Sequence, residues 1–175
     1  MDRRVEVVPH NPQWKEQFFY EKERLDKVFD GLAAIHHIGS TSVEGLAAKP
    51  IIDFLIEVPH IRIADDKTAE LEDLGYIGKG ENGIPGRRYF FYETGEGERL
   101  YHIHVFPSGS KEIERHLVFR DYLRAFKNEA EKYGKLKTEL AALYPIDMDA
   151  YIDGKNDFVQ EMEQKAMEWG RNTTN

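Results

Sequence analysis

With 175 residues, 41% of them hydrophobic and 12% aromatic, the chain is too apolar for disorder and long enough to bury a core as one domain spanning 1–175. A formal net charge of −8 argues against general nucleic-acid binding, which needs a basic surface to displace counterions; it leaves room for a local cluster of Arg and Lys. There is no cysteine, which excludes disulfide staples and thiolate chemistry.

The opening, MDRRVEVVPHNPQW, has no apolar stretch of the signal-peptide kind, and no run approaches bilayer length. No membrane association and a cytoplasmic location are therefore expected. RRVEVVPHN reads as a short strand ending at Pro9. Asn11 then suits an N-cap and Pro12 the first helical position. Trp14, Phe18, Leu25, Val28, Phe29 and Leu32 follow at helical spacing, with Gly31 as terminator.

Residues 32–38 make a short strand, and a loop over 39–49 leads to PIIDFLIEV, a β-branched run typical of a buried strand. Residues 60–74 read as one helix stopped by Gly75. After a glycine-rich connection over 78–86, RRYFFYET and RLYHIHVF form a hairpin joined by GEGE. From Ser110 to Gly170 the pattern is helical, and breaks near Phe126-Lys127 and at YPIDMD divide it into three helices. Their apolar faces include Leu117 and Leu123, then Tyr133, Leu136, Leu140 and Leu143, then Phe158, Met162, Ala166 and Trp169. Sheet first and helices last is an α+β pattern.

Four features carry chemistry. In HIGSTSVEGLAAKPIID, Gly39 permits close backbone approach and Ser40, Thr41 and Ser42 add donors, so the turn is a candidate phosphate cradle; it is equally a composition common in polar turns. Asp53 stands among Ile51, Ile52, Phe54, Leu55 and Ile56, and a buried carboxylate is costly unless paired or metal-bound. A salt bridge to Lys49 or an Arg would satisfy it. His102 and His104 share a strand face, a spacing compatible with metal ligation or with phosphate. Finally, ERHLVFRDYLR places His116, Arg120 and Arg124 in one helical stripe, flanked by Arg115. Guanidinium groups bind phosphate in pairs, although the plainer reading is a solvated face. Arg87, Arg88 and Lys155 are further cationic candidates.

Together these segments resemble the GrpB family of small bacterial proteins. HIGSTSVEGLAAKPIIDFLIEV, RRYFFYE, HIHVF, RHLVFRDYLRAF and YIDGKNDFV stand in the family's order over nearly the whole chain. The resemblance implies a nucleotidyltransferase-like fold, a mixed sheet flanked by helices with a helical C-terminal part. It also implies a Gly-Ser turn that holds nucleotide phosphate, matched by Gly39 and Ser40, and a first magnesium-binding carboxylate, matched by Asp53. Where that superfamily has its second carboxylate this chain has Leu55, and His102 and His104 stand where a third acid is sought. Glu44 replaces a usual Pro.

The expected ligand is a nucleotide or other phosphorylated small molecule. It would be held by Gly39, Ser40, Thr41, Ser42, Lys49, Arg88, Arg115, Arg120 and Arg124. A divalent metal ion of unassigned identity would sit on Asp53, His102 and His104, and Asp53 would be the catalytic residue if a nucleotidyl group is transferred. The alternative is a catalytically inactive binding or accessory module. Because related domains occur fused to dephospho-coenzyme A kinase, such a module would be linked to coenzyme A biosynthesis.

Overall fold

The computed structural model describes residues 4–173. In chain order it runs α1 (Gln13–Val28), β1 (Ala34–Ile38), a single 3-10 turn (Ser40–Ser42), β2 (Ile52–Val58), α2 (Arg62–Asp66), α3 (Thr68–Asp73) and β3 (Tyr76–Gly78). It continues with β4 (Arg88–Glu93), β5 (Arg99–Pro107), α4 (Lys111–Ala125), α5 (Lys127–Leu143) and α6 (Met148–Thr173). The strands form one mixed sheet in the order β1-β2-β5-β4-β3, with β2 and β5 parallel and the other neighbours antiparallel.

Alternation along β2 divides its side chains between two faces. Phe54 and Ile56 join Trp14, Phe18 and Leu25 of α1 in the larger core. That helix starts where expected, because the Asn11 side chain accepts the Gln13 N–H at 2.9 Å. The opposite face carries Asp53 and Leu55, and Leu55 packs with Ile38, Phe106 and Ile113 of α4. A third apolar cluster joins Val43 and Leu46, from the β1–β2 connection, to Leu123, Tyr133 and Met162 of the three C-terminal helices. Those helices therefore grip the loop that follows β1, which brings α5 and α6 to the Ser40 turn.

Some expectations change. The N-terminal strand reduces to an isolated bridge, Val8 to Ala48. The helix over 60–74 is broken at Lys67, whose φ and ψ are −98° and 0°. There the Thr68 hydroxyl donates to the Ala64 carbonyl at 3.0 Å and takes the acceptor that helix continuation would use. Tyr76–Gly78 adds an edge strand too short to show a period. Leu143 is exposed at the end of α5. No helix among the described residues is long and apolar enough to cross a membrane.

Candidate functional site

In the parallel β2–β5 pair, Asp53 stands in register with His102 and Leu55 with His104. Residues in register share a face, so one carboxylate and two imidazoles converge. Asp53 Oδ1 lies 3.4 Å from His102 Nδ1 and 3.3 Å from His104 Nε2. These are hydrogen bonds at the long end of the N–H···O range, just beyond the usual 2.7–3.2 Å. Their lengths match the edge of about 3.3 Å between neighbouring ligands of a tetrahedral ion with bonds of about 2.0–2.1 Å. One donor atom from each residue falls within a 4.8 Å group. Donor set and spacing thus fit a divalent ion.

The outer ring nitrogens add a constraint. Arg99 Nη1 is 3.3 Å from His102 Nε2, and Arg87 Nη1 is 3.3 Å from His104 Nδ1. Guanidinium only donates, so each outer nitrogen accepts and each inner nitrogen carries the proton toward Asp53. Burial pushes the Asp53 carboxyl up, yet the hydrogen bonds from His102 and His104 override it and hold the group well below the usual carboxylate range. Its side chain keeps 27% of its surface open, which leaves a way in for a ligand. His116 of α4 sits 5.9 Å from the His104 ring, and burial and then Arg115 push it down to about 3, so it is neutral.

Gly39 brings the turn against this cluster. Its φ of 75° and ψ of −177° belong to glycine alone, and a Cβ there would fall 2.6 Å from Asp53 Oδ2. On the same side, Lys137 of α5 donates to the Ser40 hydroxyl at 2.6 Å and lies 4.4 Å from the Tyr133 ring centroid. Only 2% of Lys137 is exposed. Burial pushes this ammonium down to about 6; the charges of Lys155 and Lys49 add to that and Asp53 opposes it. Lys49 and Lys155 stand 5.4 and 5.2 Å from the Tyr151 ring centroid. The Tyr151 hydroxyl is buried without a hydrogen-bond partner, and burial pushes it up to about 12. Three lysine amino groups and an orphaned hydroxyl therefore surround the Ser40 side of the turn.

The structure brings Gly39, Ser40, Lys49, Asp53, His102 and His104 to one locality and sends the other expected residues elsewhere. Arg88 is in register with Val105 of the larger core, so it points to the opposite face and pairs with Asp65 at 2.7 Å. The alternation puts Arg87 at the site in its place. Arg115 is bound by Glu112 and by Glu163 at 2.9 Å, which ties α4 to α6. Thr41, Ser42, Arg120 and Arg124 border a hollow on the far side of the turn. There Thr41 Oγ1 meets His37 Nε2 at 2.9 Å, and Arg124 donates twice to the Ser42 carbonyl at 2.8 and 3.0 Å.

The GrpB protein family model matches residues 4–165. The chain belongs to the GrpB family. It is 48% identical to YqkA of Bacillus subtilis over 99% of this chain and 51% of that protein, so it spans about half of YqkA's length. The crystal structure of GrpB from Enterococcus faecalis superposes with a TM-score of 0.88 at 41% identity, over 93% of this chain and 98% of that one. Dephospho-CoA kinase of Mycolicibacterium paratuberculosis is 25% identical over 97% of this chain and 47% of its own. A structure of the Cid1 poly(U) polymerase matches at a TM-score of 0.55 and 13% identity, over 77% of this chain and 44% of that one, a likeness of fold. The mixed sheet with flanking helices is nucleotidyltransferase-like.

Within this GrpB-family fold, Leu55 leaves no room for a second carboxylate beside Asp53, since it is fully buried in an apolar cluster. Sequence reading missed Lys137 and Tyr151. The available signal was Lys137 itself, a cation four residues after Tyr133 on a helix face otherwise read as apolar.

Proposed function

We propose that the protein binds a nucleotide or other phosphorylated small molecule in the cytoplasm, its phosphates between the Ser40 turn and Lys49, Lys137 and Lys155. The observation that carries this reading is Lys137. A buried lysine amine on a serine hydroxyl, kept from its charge by burial and by two more lysines and set beside an unpartnered tyrosine hydroxyl, is poised to take up a proton when an anion arrives. Among the described residues no carboxylate forms a salt bridge with Lys137 or Lys155. Phosphate oxygens would offset the mutual repulsion of the three cations.

Asp53, His102 and His104 would hold one divalent ion, which when bound supplies Lewis-acid polarisation of a phosphoryl oxygen. Nitrogen ligands favour a borderline metal over magnesium. Gly39 keeps the phosphate turn against Asp53, and the lysines neutralise charge on the phosphate tail. Nucleotidyl transfer is the reaction this arrangement best supports: an acceptor oxygen bonds to the α-phosphorus as pyrophosphate leaves. A second reading rests on Leu55, whose burial denies the site a second carboxylate for the two-metal chemistry of that reaction. There the same site would sense a phosphorylated ligand as an inactive module, working beside an enzyme of coenzyme A biosynthesis.

Thermal unfolding with ATP and the other nucleoside triphosphates, each with manganese, zinc or magnesium, tests both. A native-state ligand raises the melting temperature by mass action, and the shift should vanish in Lys137→Met. A shift retained in that variant refutes the phosphate site. Pyrophosphate release from bound nucleotide in the presence of hydroxyl-bearing acceptors selects transfer, and its absence at saturation with nucleotide and acceptor selects the module.

A further inference from the structure

A hollow of about 1040 Å³ opens beside β1, an edge strand, between α1 and the α4–α5 corner. It lies across the Ser40–Ser42 turn from the lysines, since Ser40 turns its hydroxyl to Lys137 and Thr41 turns its own to His37. The hollow has an apolar floor of Phe18, Ile35 and Leu123. Five cationic side chains line it, Lys15, Lys22, Arg120, Arg124 and Lys127, against two acidic ones, Glu44 and Glu131. This excess occurs on a protein of formal net charge −8.

Two of the cations are built in. Arg120 donates to the His37 carbonyl at 3.2 Å, and Arg124 grips the Ser42 carbonyl. They stand one helical turn apart, where like charges repel, and an anion beside them relieves that repulsion. Lys22 and Arg120 are partly compensated by Asp26 and Asp121. Among the described residues Lys15 and Lys127 have no carboxylate partner, and both are exposed. At the imidazoles these charges add to a larger effect of burial. Burial and then Arg120 lower His36, with Glu57 and Asp121 opposing. Burial pushes His37 down to about 4, with Arg124, Arg120 and His10 adding and Asp53 opposing.

We infer that this hollow is a second binding site, separate from the Ser40–Lys137 site, for an amphipathic organic anion. The charged head lies on the cationic rim and a planar or apolar body lies on the Phe18–Ile35–Leu123 floor. The volume is at the upper end of small-molecule sites, about 300–1,000 Å³.

The probe is 8-anilinonaphthalene-1-sulfonate, an anion of that shape whose fluorescence rises on binding. Saturable binding to the native protein should weaken at least tenfold in Lys15→Glu/Lys127→Glu. The control Lys79→Glu/Lys111→Glu makes the same change in net charge at exposed positions outside the hollow, and should bind as the wild type does. Circular dichroism confirms that both variants are folded. Equal weakening in both pairs, equal binding in wild type and the first pair, or no saturable binding to the wild type each overturns the assignment. None of these outcomes bears on nucleotide binding, which Lys137→Met tests.

Discussion

Replacing Lys137 by Met should stabilise the protein while abolishing phosphate binding. The unfolded lysine titrates near 10.5, and in the folded protein burial, Lys155 and Lys49 push it down to about 6. Between those values the unfolded state holds one proton more than the folded state, so stability falls as pH falls. The slope is about 1.4 kcal/mol per pH unit, because one pK unit corresponds to that free energy. At pH 8, more than two units below the unfolded value, burying this lysine costs about 3 kcal/mol. With only 2% of the residue exposed, solvent screening takes little off that figure.

Met has similar length and no charge to desolvate. It forfeits the bond to Ser40, a loss of about 1 kcal/mol. The variant should therefore be about 2 kcal/mol more stable than wild type at pH 8, with the advantage growing toward pH 6 and gone near pH 10. Urea unfolding at pH 6, 7, 8 and 9 measures the difference, and comparing the two proteins cancels every other titrating group. If Met destabilises at pH 8, or the two stability curves run parallel, then Lys137 is an ordinary protonated lysine. The argument that it awaits an anion would fail with it.

Two further substitutions test the turn and the missing acid. Gly39→Ala places a Cβ 2.6 Å from Asp53 Oδ2 at a backbone conformation reserved for glycine. It should cost at least about 2 kcal/mol in urea unfolding and weaken metal binding measured by calorimetry. Leu55→Asp would not restore a two-carboxylate site. The position is fully buried among Ile38, Phe106 and Ile113, so an unpaired charge there should destabilise by about 3–5 kcal/mol, and a stable variant with tighter magnesium binding would contradict this.

Where a feature repeats at a clear period, it was legible. The hairpin of β4 and β5 and all three C-terminal helices stand where alternation and helical spacing placed them. Tyr76–Gly78 was hidden because three residues carry no period. The Asp53–His102–His104 group was legible as two separate same-face patterns; only the β2–β5 register, which no local signal encodes, made them neighbours. Arg88 illustrates the cost of lacking register, since one residue of shift exchanges it with Arg87 across the sheet. The Arg120–Arg124 stripe was readable as a helix face, but not the element it would meet. Lys137 escaped notice because helical periodicity reports which face a residue shares, and gives no hint that a serine turn 97 positions away will sit above it.

Arg87 and Arg99 govern how the Asp53 cluster can change state. An imidazole bound to a metal through its inner nitrogen carries its proton on the outer one, and that N–H then needs an acceptor. Each outer nitrogen here faces a guanidinium, which offers none. A metal must therefore displace both arginine contacts, and Arg87 resists because it also donates to the Glu81 and Asn82 carbonyls, at 3.1 and 2.8 Å. Glutamine can present a carbonyl oxygen to the outer N–H instead. Arg87→Gln and Arg99→Gln should each raise affinity for manganese or zinc, on the order of tenfold, the range in which such supporting partners act. His104→Ala should lower it. Calorimetric titration with the metal alone reads all three, with melting temperature as the check on folding. Folded glutamine variants that bind metal more weakly would mean the imidazoles serve as hydrogen-bond donors to Asp53 and hold no ion; the carboxylate would then be a fixed negative charge facing the lysines.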